Sequence, residues 1–339
     1  MVAVVVLATG CGGGQSLSPA LVSIGAGLKG PSGLHATVYA TGLPLMSAFA
    51  FDARGRLWVA TSGATTHATD GVFVVPRPGA RPIRVVSALR GPLGLVWVGD
   101  RLIVSSLGRV TAFGGLSGSR FTTRKTIVQG PVAAGENNNV ARAPDGRLVM
   151  RVSSTCDHCV PPSKWAATIV RFRPDGSGLG VLARGIRAAY GVDFLPGTGD
   201  LFASMNQRDD LGAKTPGDWL GLVRPGQDWG FPACYGQQTA ACKAYPAPAA
   251  VLDPHAAAGS VAILTTQLGG VFNPSALVSE WQLGKVQRVA LTRTGSGYKG
   301  TAQPFLTGIQ RPLPLLTTPD GALLVGDWET GKIYRITGS

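Results

Sequence analysis

The first stretch of this 339-residue sequence that could do chemistry is a run of polar side chains, Glu136 followed by Asn137, Asn138 and Asn139. A carboxylate can act as a general base when its pKa suits the reaction, and amide groups can bind the hydroxyl groups of a ligand. Asparagine is also a common turn former that bonds to its own backbone. The run therefore indicates either a ligand site or a polar loop, and the residue types alone do not decide between them.

Two further stretches carry groups that could bind a cofactor or a metal. Arg187 precedes a predicted strand, and its guanidinium group offers a fork of donors to a carboxylate, although a surface arginine is the simpler interpretation. The loop from 205 to 218 holds Asp209, Asp210 and Asp218 among glycine and proline residues. Carboxylate and carbonyl oxygens are the ligands that calcium prefers. The loop therefore predicts a calcium site, with an ordinary acidic loop as the alternative.

Four cysteines stand in two local pairs, Cys156 with Cys159 and Cys234 with Cys242. An even number of closely spaced cysteines in an exported protein indicates disulfides. Zinc is the competing interpretation of the first pair, but the second pair lacks the spacing of metal ligands. We therefore expect two disulfides.

The N-terminal segment is typical of a lipoprotein signal. A short apolar run is followed by Cys11 and a tract of glycine and serine, which predicts a signal over residues 1–11 with Cys11 lipidated and a flexible linker over residues 12–34. Ala8 stands where a leucine is usual and no basic residues precede the run, so plain secretion is the alternative. Either route predicts an extracytoplasmic protein that is bound to the cell membrane by a lipid anchor or secreted.

The elements that must position these residues repeat along the chain. A turn such as Pro144-Asp145-Gly146 is followed by an apolar strand, and the unit occurs six times with its first leucine at positions 57, 102, 148, 201, 277 and 323. The spacings are 45, 46, 53, 76 and 46 residues. A period of about 40 to 50 residues with several short strands is typical of a β-propeller. The sequence thus predicts an all-β, six-bladed β-propeller over residues 35–339, with residues 35–40 pairing into the last blade.

Composition limits the partners. The net charge is +13, but the arginines are scattered through the turns and do not cluster with aromatic residues, which argues against nucleic acid. We expect membrane contact only through the lipid anchor. The oligomeric state stays open.

Residues 135–236 resemble the glucose/sorbosone dehydrogenase family, soluble six-bladed propellers that use pyrroloquinoline quinone (PQQ). The resemblance rests on motifs that occur in the family's order and spacing. These motifs are the NNN run before the PDGRL turn, STCDHC at 154–159, RPDGSG at 173–178, ARGIR at 183–187, NQRDDLG at 206–212, PGQDWGFP at 225–232 and CYG at 234–236, with DPH at 253–255 and QRP at 310–312 beyond that stretch.

The resemblance implies a mechanism and a set of site residues. In the family a histidine takes the proton of the substrate hydroxyl while hydride passes to PQQ, basic residues hold the carboxylates of the quinone, and calcium polarises its oxygens. Here Glu136 or Asn137 stands in place of that histidine. The implied cofactor residues are Arg187, Asn206, Lys285 and Arg288, and the implied calcium ligands are Asp218 with the carbonyls of Pro216 and Gly217.

Departures from the family pattern leave three hypotheses. The family's Arg-Asn pair is Arg187-Ala188 here, and its Asp-Glu pair in the calcium loop is Asp218-Trp219. The first hypothesis is a PQQ-dependent dehydrogenase of a sugar or polyol hydroxyl or aldehyde group, which requires Glu136, Arg187 and Arg288 to converge on one channel mouth. The second is a cofactor-free propeller that binds a carbohydrate or a protein. The third is a calcium-dependent lactonase-type hydrolase, which requires at least three oxygen ligands at the channel centre.

Overall fold

A computed structural model describes residues 20–63, 68–129, 136–188, 190–236, 239–295 and 297–338. Within those residues the helical elements are three short 3-10 helices, Gly212–Lys214, Ala240–Ala244 and Leu268–Gly270. The strands in chain order are β1 (Val22–Gly25), β2 (Leu28–Gly30), β3 (Leu34–Ala40), β4 (Met46–Phe51), β5 (Leu57–Thr61), β6 (Gly71–Val75), β7 (Ile83–Val86), β8 (Gly94–Val98), β9 (Arg101–Ser106), β10 (Arg109–Ser117), β11 (Arg120–Gln129), β12 (Asn137–Arg142), β13 (Leu148–Val152), β14 (Thr168–Phe172), β15 (Gly180–Arg184), β16 (Val192–Phe194), β17 (Leu201–Met205), β18 (Gly217–Val223), β19 (Ala250–Pro254), β20 (Ala258–Leu264), β21 (Ser275–Glu280), β22 (Lys285–Ala290), β23 (Thr292–Thr294), β24 (Gly297–Lys299), β25 (Ala302–Thr307), β26 (Pro312–Thr317), β27 (Leu323–Asp327) and β28 (Ile333–Gly338).

Six antiparallel sheets form the blades. Blades one to four are β4 to β7, β8 to β11, β12 to β15 and β16 to β19, each in chain order. Blade five is built on β20, β21, β22 and β25, and blade six on β26, β27, β28 and β3. The first strand of each blade contacts the first strand of the next, and β26 of blade six returns to β4 of blade one. The blades therefore close into a ring, and the predicted six-bladed β-propeller is confirmed.

The repeated leucines begin or lie in the second strand of each blade. All six are at most 2% exposed, because each packs between neighbouring blades. The turn before the second strand recurs in the same geometry, with Gly55, Gly146 and Gly321 at φ of 73°, 79° and 83°. Glycine adopts this left-handed conformation without a steric penalty, which is why the turn signal was readable in the sequence.

The ring is closed by strands from both ends of the described chain. β3 pairs with β28, with Ala36 opposite Ile336 and Leu34 opposite Gly338, which confirms the pairing predicted for residues 35–40. From Val22 onward the predicted flexible linker is instead structured, because β1 and β2 form a hairpin that joins blade five through Lys29 and Thr307. Residues 12–19 and Cys11 lie outside the described residues.

Both predicted disulfides are formed, Cys156–Cys159 and Cys234–Cys242. The first disulfide follows the second strand of blade three, and the second follows the third strand of blade four. Both disulfides therefore fasten long loops that connect these strands to their neighbours.

Within the described ranges, no helix has the length and apolar character needed to cross a bilayer.

Candidate functional site at the channel mouth

A cavity of about 450 Å³ opens at the end of the ring where the first strands of the blades begin. All six blades contribute to its wall, and we call this cavity the mouth. Its side chains come mainly from two positions in each blade, just before the first strand and just after the second. The residues that follow the second strands and line the mouth are Ser62, Leu107, Asn206, Trp281 and Trp328.

Glu136 forms the acidic part of the wall. It immediately precedes β12, and its backbone carbonyl accepts a hydrogen bond from the amide of Ser153 at 3.0 Å, which fixes the start of the strand. Solvent reaches the carboxyl group through the mouth, but the protein surrounds it, and this partial desolvation raises its pKa. Glu136 is thus placed where it can contact a bound ligand.

Two half-buried polar side chains continue the wall from blade four. Tyr190 precedes β16, and its hydroxyl donates a hydrogen bond to the carbonyl of Ser47. This bond fixes the phenol ring of Tyr190 against blade one. Burial raises the pKa of the Tyr190 hydroxyl, which therefore stays protonated. Asn206 follows β17, and its Oδ1 is buried at the cavity wall with no hydrogen-bond partner among the described residues. This part of the wall is polar and carries no charge.

Two indole rings form the apolar part of the wall. Trp281 and Trp328 occupy the equivalent position in blades five and six, and their rings meet edge to face at 5.4 Å and 77°. The guanidinium group of Arg311 covers Trp281 at 4.6 Å from the ring centroid. Blade six lies opposite blade three in a ring of six, so Trp328 stands across the mouth from Glu136.

Arg187 lies behind the mouth, and its donors are occupied by protein. Nε donates to the carbonyl of Asp157 at 2.8 Å, Nη1 to the carbonyl of Gln207 at 2.6 Å, and Nη2 pairs with the Asp157 carboxylate. That carboxylate also accepts the amides of Asp209 and Asp210 at 3.0 and 2.9 Å. Arg187 and Asp157 therefore clamp the loop that carries Asn206, and Arg187 does not line the mouth.

Asp218 joins two backbone segments through hydrogen bonds. It is 2% exposed, and its two oxygens accept the amides of Gln207 at 2.8 Å and Ala258 at 3.0 Å, which ties blade four to the first strand of blade five. Burial raises its pKa to about 6. Asp70 makes the equivalent link between Gly63 and Gly91 at the mouth of blades one and two.

The residues of the acidic loop do not fit a calcium ion. Asp218, the predicted carboxylate ligand, is 2% exposed, and both of its oxygens accept hydrogen bonds from backbone amides, so the carboxylate faces the backbone and not an open site. The part of the chain that the structure describes contains no group of three or more His, Cys, Asp or Glu side chains arranged to hold a metal. No chemical step is therefore assigned to calcium.

The remaining predicted site residues point elsewhere. Asn137 is fully buried and its amide donates to the carbonyl of Ser106 at 2.9 Å, between blades three and two. Lys285 pairs with Asp253 and lies 3.4 Å from Glu280, whose burial raises its pKa to about 7. Neither Asn137 nor Lys285 lines the mouth.

Arg288 is directed toward the opposite end of blade five. Its Nε donates to Ser275 Oγ at 2.8 Å, and Ser275 is paired with the last residue of β20. The guanidinium group stacks on Phe272 at 5.4 Å. Glu136, Arg187 and Arg288 therefore do not converge on one channel mouth.

The charge of the mouth does not match the quinone. Every Lys, Arg, Asp and Glu of the sequence lies in the described residues, and among them only Glu136 lines the mouth. The carboxylates of PQQ need cationic partners, and the mouth offers a carboxylate. The side chains present therefore do not fit PQQ.

The chain matches no family model. It is 25% identical over 219 residues to an uncharacterized protein of Borreliella burgdorferi, an alignment that covers 57% of each chain. The chain thus spans a little over half the length of that relative.

Solved structures with the same fold cover nearly the whole chain. The PQQ-bound aldose sugar dehydrogenase of Streptomyces coelicolor has a TM-score of 0.72 at 19% identity and covers 91% of this chain and 100% of its own. The holo PQQ domain of pyranose dehydrogenase from Coprinopsis cinerea has a TM-score of 0.72 at 18% identity, with 91% and 97% covered.

A calcium structure of a Trichoderma reesei enzyme of carbohydrate-active family AA12 has a TM-score of 0.73 at 17% identity, with 97% and 100% covered. The chain therefore shares the six-bladed fold of PQQ-dependent sugar dehydrogenases, as the resemblance implied. At these identities the likeness extends to the fold.

Proposed function

We propose that the mouth binds a small sugar or polyol. The observation that carries the proposal is the pair of indole rings, Trp281 and Trp328, in the wall of a 450 Å³ cavity that also exposes Glu136. Apolar and aromatic walls with a few placed polar groups are typical of small-molecule sites. The C–H faces of a sugar ring can pack on the indoles, while its hydroxyl groups bond to the carboxylate and to Asn206.

PQQ-dependent oxidation of a hydroxyl or aldehyde group is the second candidate. The shared fold with PQQ-bound sugar dehydrogenases favours it. The charge of the mouth and the positions of Lys285 and Arg288 argue against it, because these cations are paired or directed away. Binding without the quinone is therefore the function that the geometry supports best. A lactonase-type reaction needs at least three oxygen ligands at the channel centre, and Glu136 is the one carboxylate that the described residues place in the mouth.

We propose an extracytoplasmic location on the evidence of the two disulfides, since such bonds persist in oxidising compartments. Lipidation of Cys11 remains a prediction. Metabolic labelling with a palmitate analogue tests it, with C11A as the control. Absence of label from the wild-type chain would contradict it.

Titration of the purified protein by calorimetry tests the function. Glucose, xylose and sorbitol form one set of ligands, and PQQ with and without calcium forms the other, each followed by dye reduction with the sugars. We expect a sugar or polyol to bind and to raise Tm, with no binding of PQQ and no dye reduction. Dye reduction with PQQ would establish the second candidate. Failure of every ligand to bind in the titration would overturn the binding proposal.

A further inference from the structure

The mouth and the outer surface carry opposite charge. The whole chain has a net charge of +13, yet the one charged side chain that lines the mouth is Glu136. Because all Lys and Arg residues lie in the described part of the chain, this contrast includes every one of them. A binding site with a single uncompensated carboxylate favours a ligand that brings a positive charge.

Among the described residues at this end of the ring, several acidic side chains have cationic partners, whereas Glu136 has none. Asp157 is paired with Arg187, Asp210 with Arg208, and Asp253 with Lys285. The Glu136 side chain makes no hydrogen bond or ion pair within the described residues, and it is open to the cavity. Its carboxylate is therefore free to accept hydrogen bonds from a ligand.

The wall opposite Glu136 is also favourable to a cation. Indole rings attract cations through their negative faces, and Arg311 already uses Trp281 in this way at 4.6 Å. Trp328 lines the cavity, and no cation stacks on its ring among the described residues. An ammonium group held in this cavity would meet a carboxylate on one side and an aromatic wall on the other.

We propose that the mouth selects amino sugars with a free amine, the ammonium group bonding to Glu136 while the sugar ring packs on Trp328 and Trp281. This inference rests on the proposed sugar-binding function and names its substrate class. An ammonium group supplies three N–H donors to an acceptor-only carboxylate. A neutral sugar makes only the weaker hydroxyl bonds, and an acidic sugar meets like charge.

Calorimetric titration with matched hexoses tests the proposal. At about pH 6.5, four ligands share one hexose ring: glucosamine is positive, glucose and N-acetylglucosamine are neutral, and glucuronate is negative. We expect glucosamine to bind about tenfold more tightly than glucose or N-acetylglucosamine, since a hydrogen bond to a charged group is worth more than a neutral one. Glucuronate should bind most weakly.

Substitution of Glu136 locates the selectivity. In E136Q the ratio of the glucosamine affinity to the glucose affinity should fall to about one. The matched control is D100N, which removes the same charge from the exposed turn between β8 and β9 at the opposite end of the ring and should keep the wild-type ratio. A thermal melt of each variant verifies folding, and the ligand series on the wild-type protein is decisive by itself if E136Q does not fold.

The outcomes separate the two proposals. Equal affinities for glucosamine and glucose, or tighter binding of glucuronate, would overturn amino-sugar selectivity and leave sugar binding in place. Selectivity that survives in E136Q would overturn the role of Glu136. Failure of every sugar to bind would overturn both proposals.

Discussion

At the scale of single residues, substitution of Trp328 distinguishes the contribution of aromatic stacking to sugar affinity from that of the Glu136 charge. Truncation in W328A removes the aromatic surface that faces Glu136, so we expect the affinities for glucose and glucosamine to fall together by about tenfold. W328F keeps an aromatic ring and should retain most of both affinities. Calorimetry with both sugars measures the effect, and unchanged affinities in W328A would place the ligand elsewhere.

The buried carboxyl groups predict an unusual dependence of stability on pH. Burial raises the pKa of Asp218 and of Asp193 to about 6, above the ordinary value of 3.8. The native state therefore holds these protons more tightly than the unfolded chain does, and their ionisation costs stability. That stability is fully present below about pH 4 and is lost as the pH rises to about 6.

Other carboxyl groups act in the opposite direction at lower pH. Hydrogen bonds from Trp58 and Arg56 outweigh desolvation and lower the pKa of Asp52, and a backbone hydrogen bond does the same for Asp145. Their stabilisation is lost as the pH falls below their ordinary range. We therefore expect Tm to be higher at pH 5 than at pH 7.5 and to fall below about pH 4. Calorimetric scans measure this, and D193N should flatten the slope between pH 4 and pH 6; a Tm that rises steadily to pH 7.5 would contradict it.

Residue types in the sequence identified polar side chains that line the mouth, but not the partner of each group. Glu136 and Asn206 do line the mouth, whereas Arg187 and Asp218 satisfy loop atoms that only the folded chain brings near. Trp281 and Trp328 were missed. A signal was available, since each directly follows the second strand of its blade, the position that gives Asn206 in blade four.

The loop closed by Cys156 and Cys159 is an element whose loss should reach the mouth. Asp157 within it holds Arg187 and the amides of the loop that carries Asn206. For so short a loop, the entropy model gives about 2 kcal/mol of stability lost in C156S/C159S. We also expect weaker sugar binding, because Asn206 loses its support.

Chemical denaturation and calorimetry measure the two effects. The matched control is V160A, next to the loop, where a side chain that is 80% exposed should change stability by less than about 0.5 kcal/mol. A double serine variant with normal sugar affinity would show that the disulfide loop does not support the mouth.

Strands with a turn signal were predictable, and strands without one were not. The second and third strands of all six blades follow from the repeated turn and from apolar runs such as Val72 to Val75 in β6. β12 begins with three asparagines and carries no apolar alternation, and β1 is a short VSIG run among glycines. Both become strands because a neighbouring strand satisfies their backbone groups.

At the scale of the whole molecule, stability depends on closure of the ring through β28. Arg335 in that strand pairs with Leu324 on one side and with Thr37 of β3 on the other. A proline at this position removes a ladder hydrogen bond and clashes with the neighbouring strand, so R335P should cost more than about 3 kcal/mol.

R335A is the matched control for the exposed ion pair with Asp320, which should contribute at most about 1 kcal/mol. Urea unfolding measures both variants. A proline variant as stable as R335A would show that the ring does not depend on this seam.

The pairing of β3 with β28 also sets an order of events during synthesis. A nascent chain emerges from the ribosome with β3 early, and this strand stays without its partner until Ile333 has been made. At about 5 to 20 residues per second, the wait lasts roughly tens of seconds. Throughout that time β3 lacks its ladder partner, so the ring of blades cannot close before nearly the whole chain has been made.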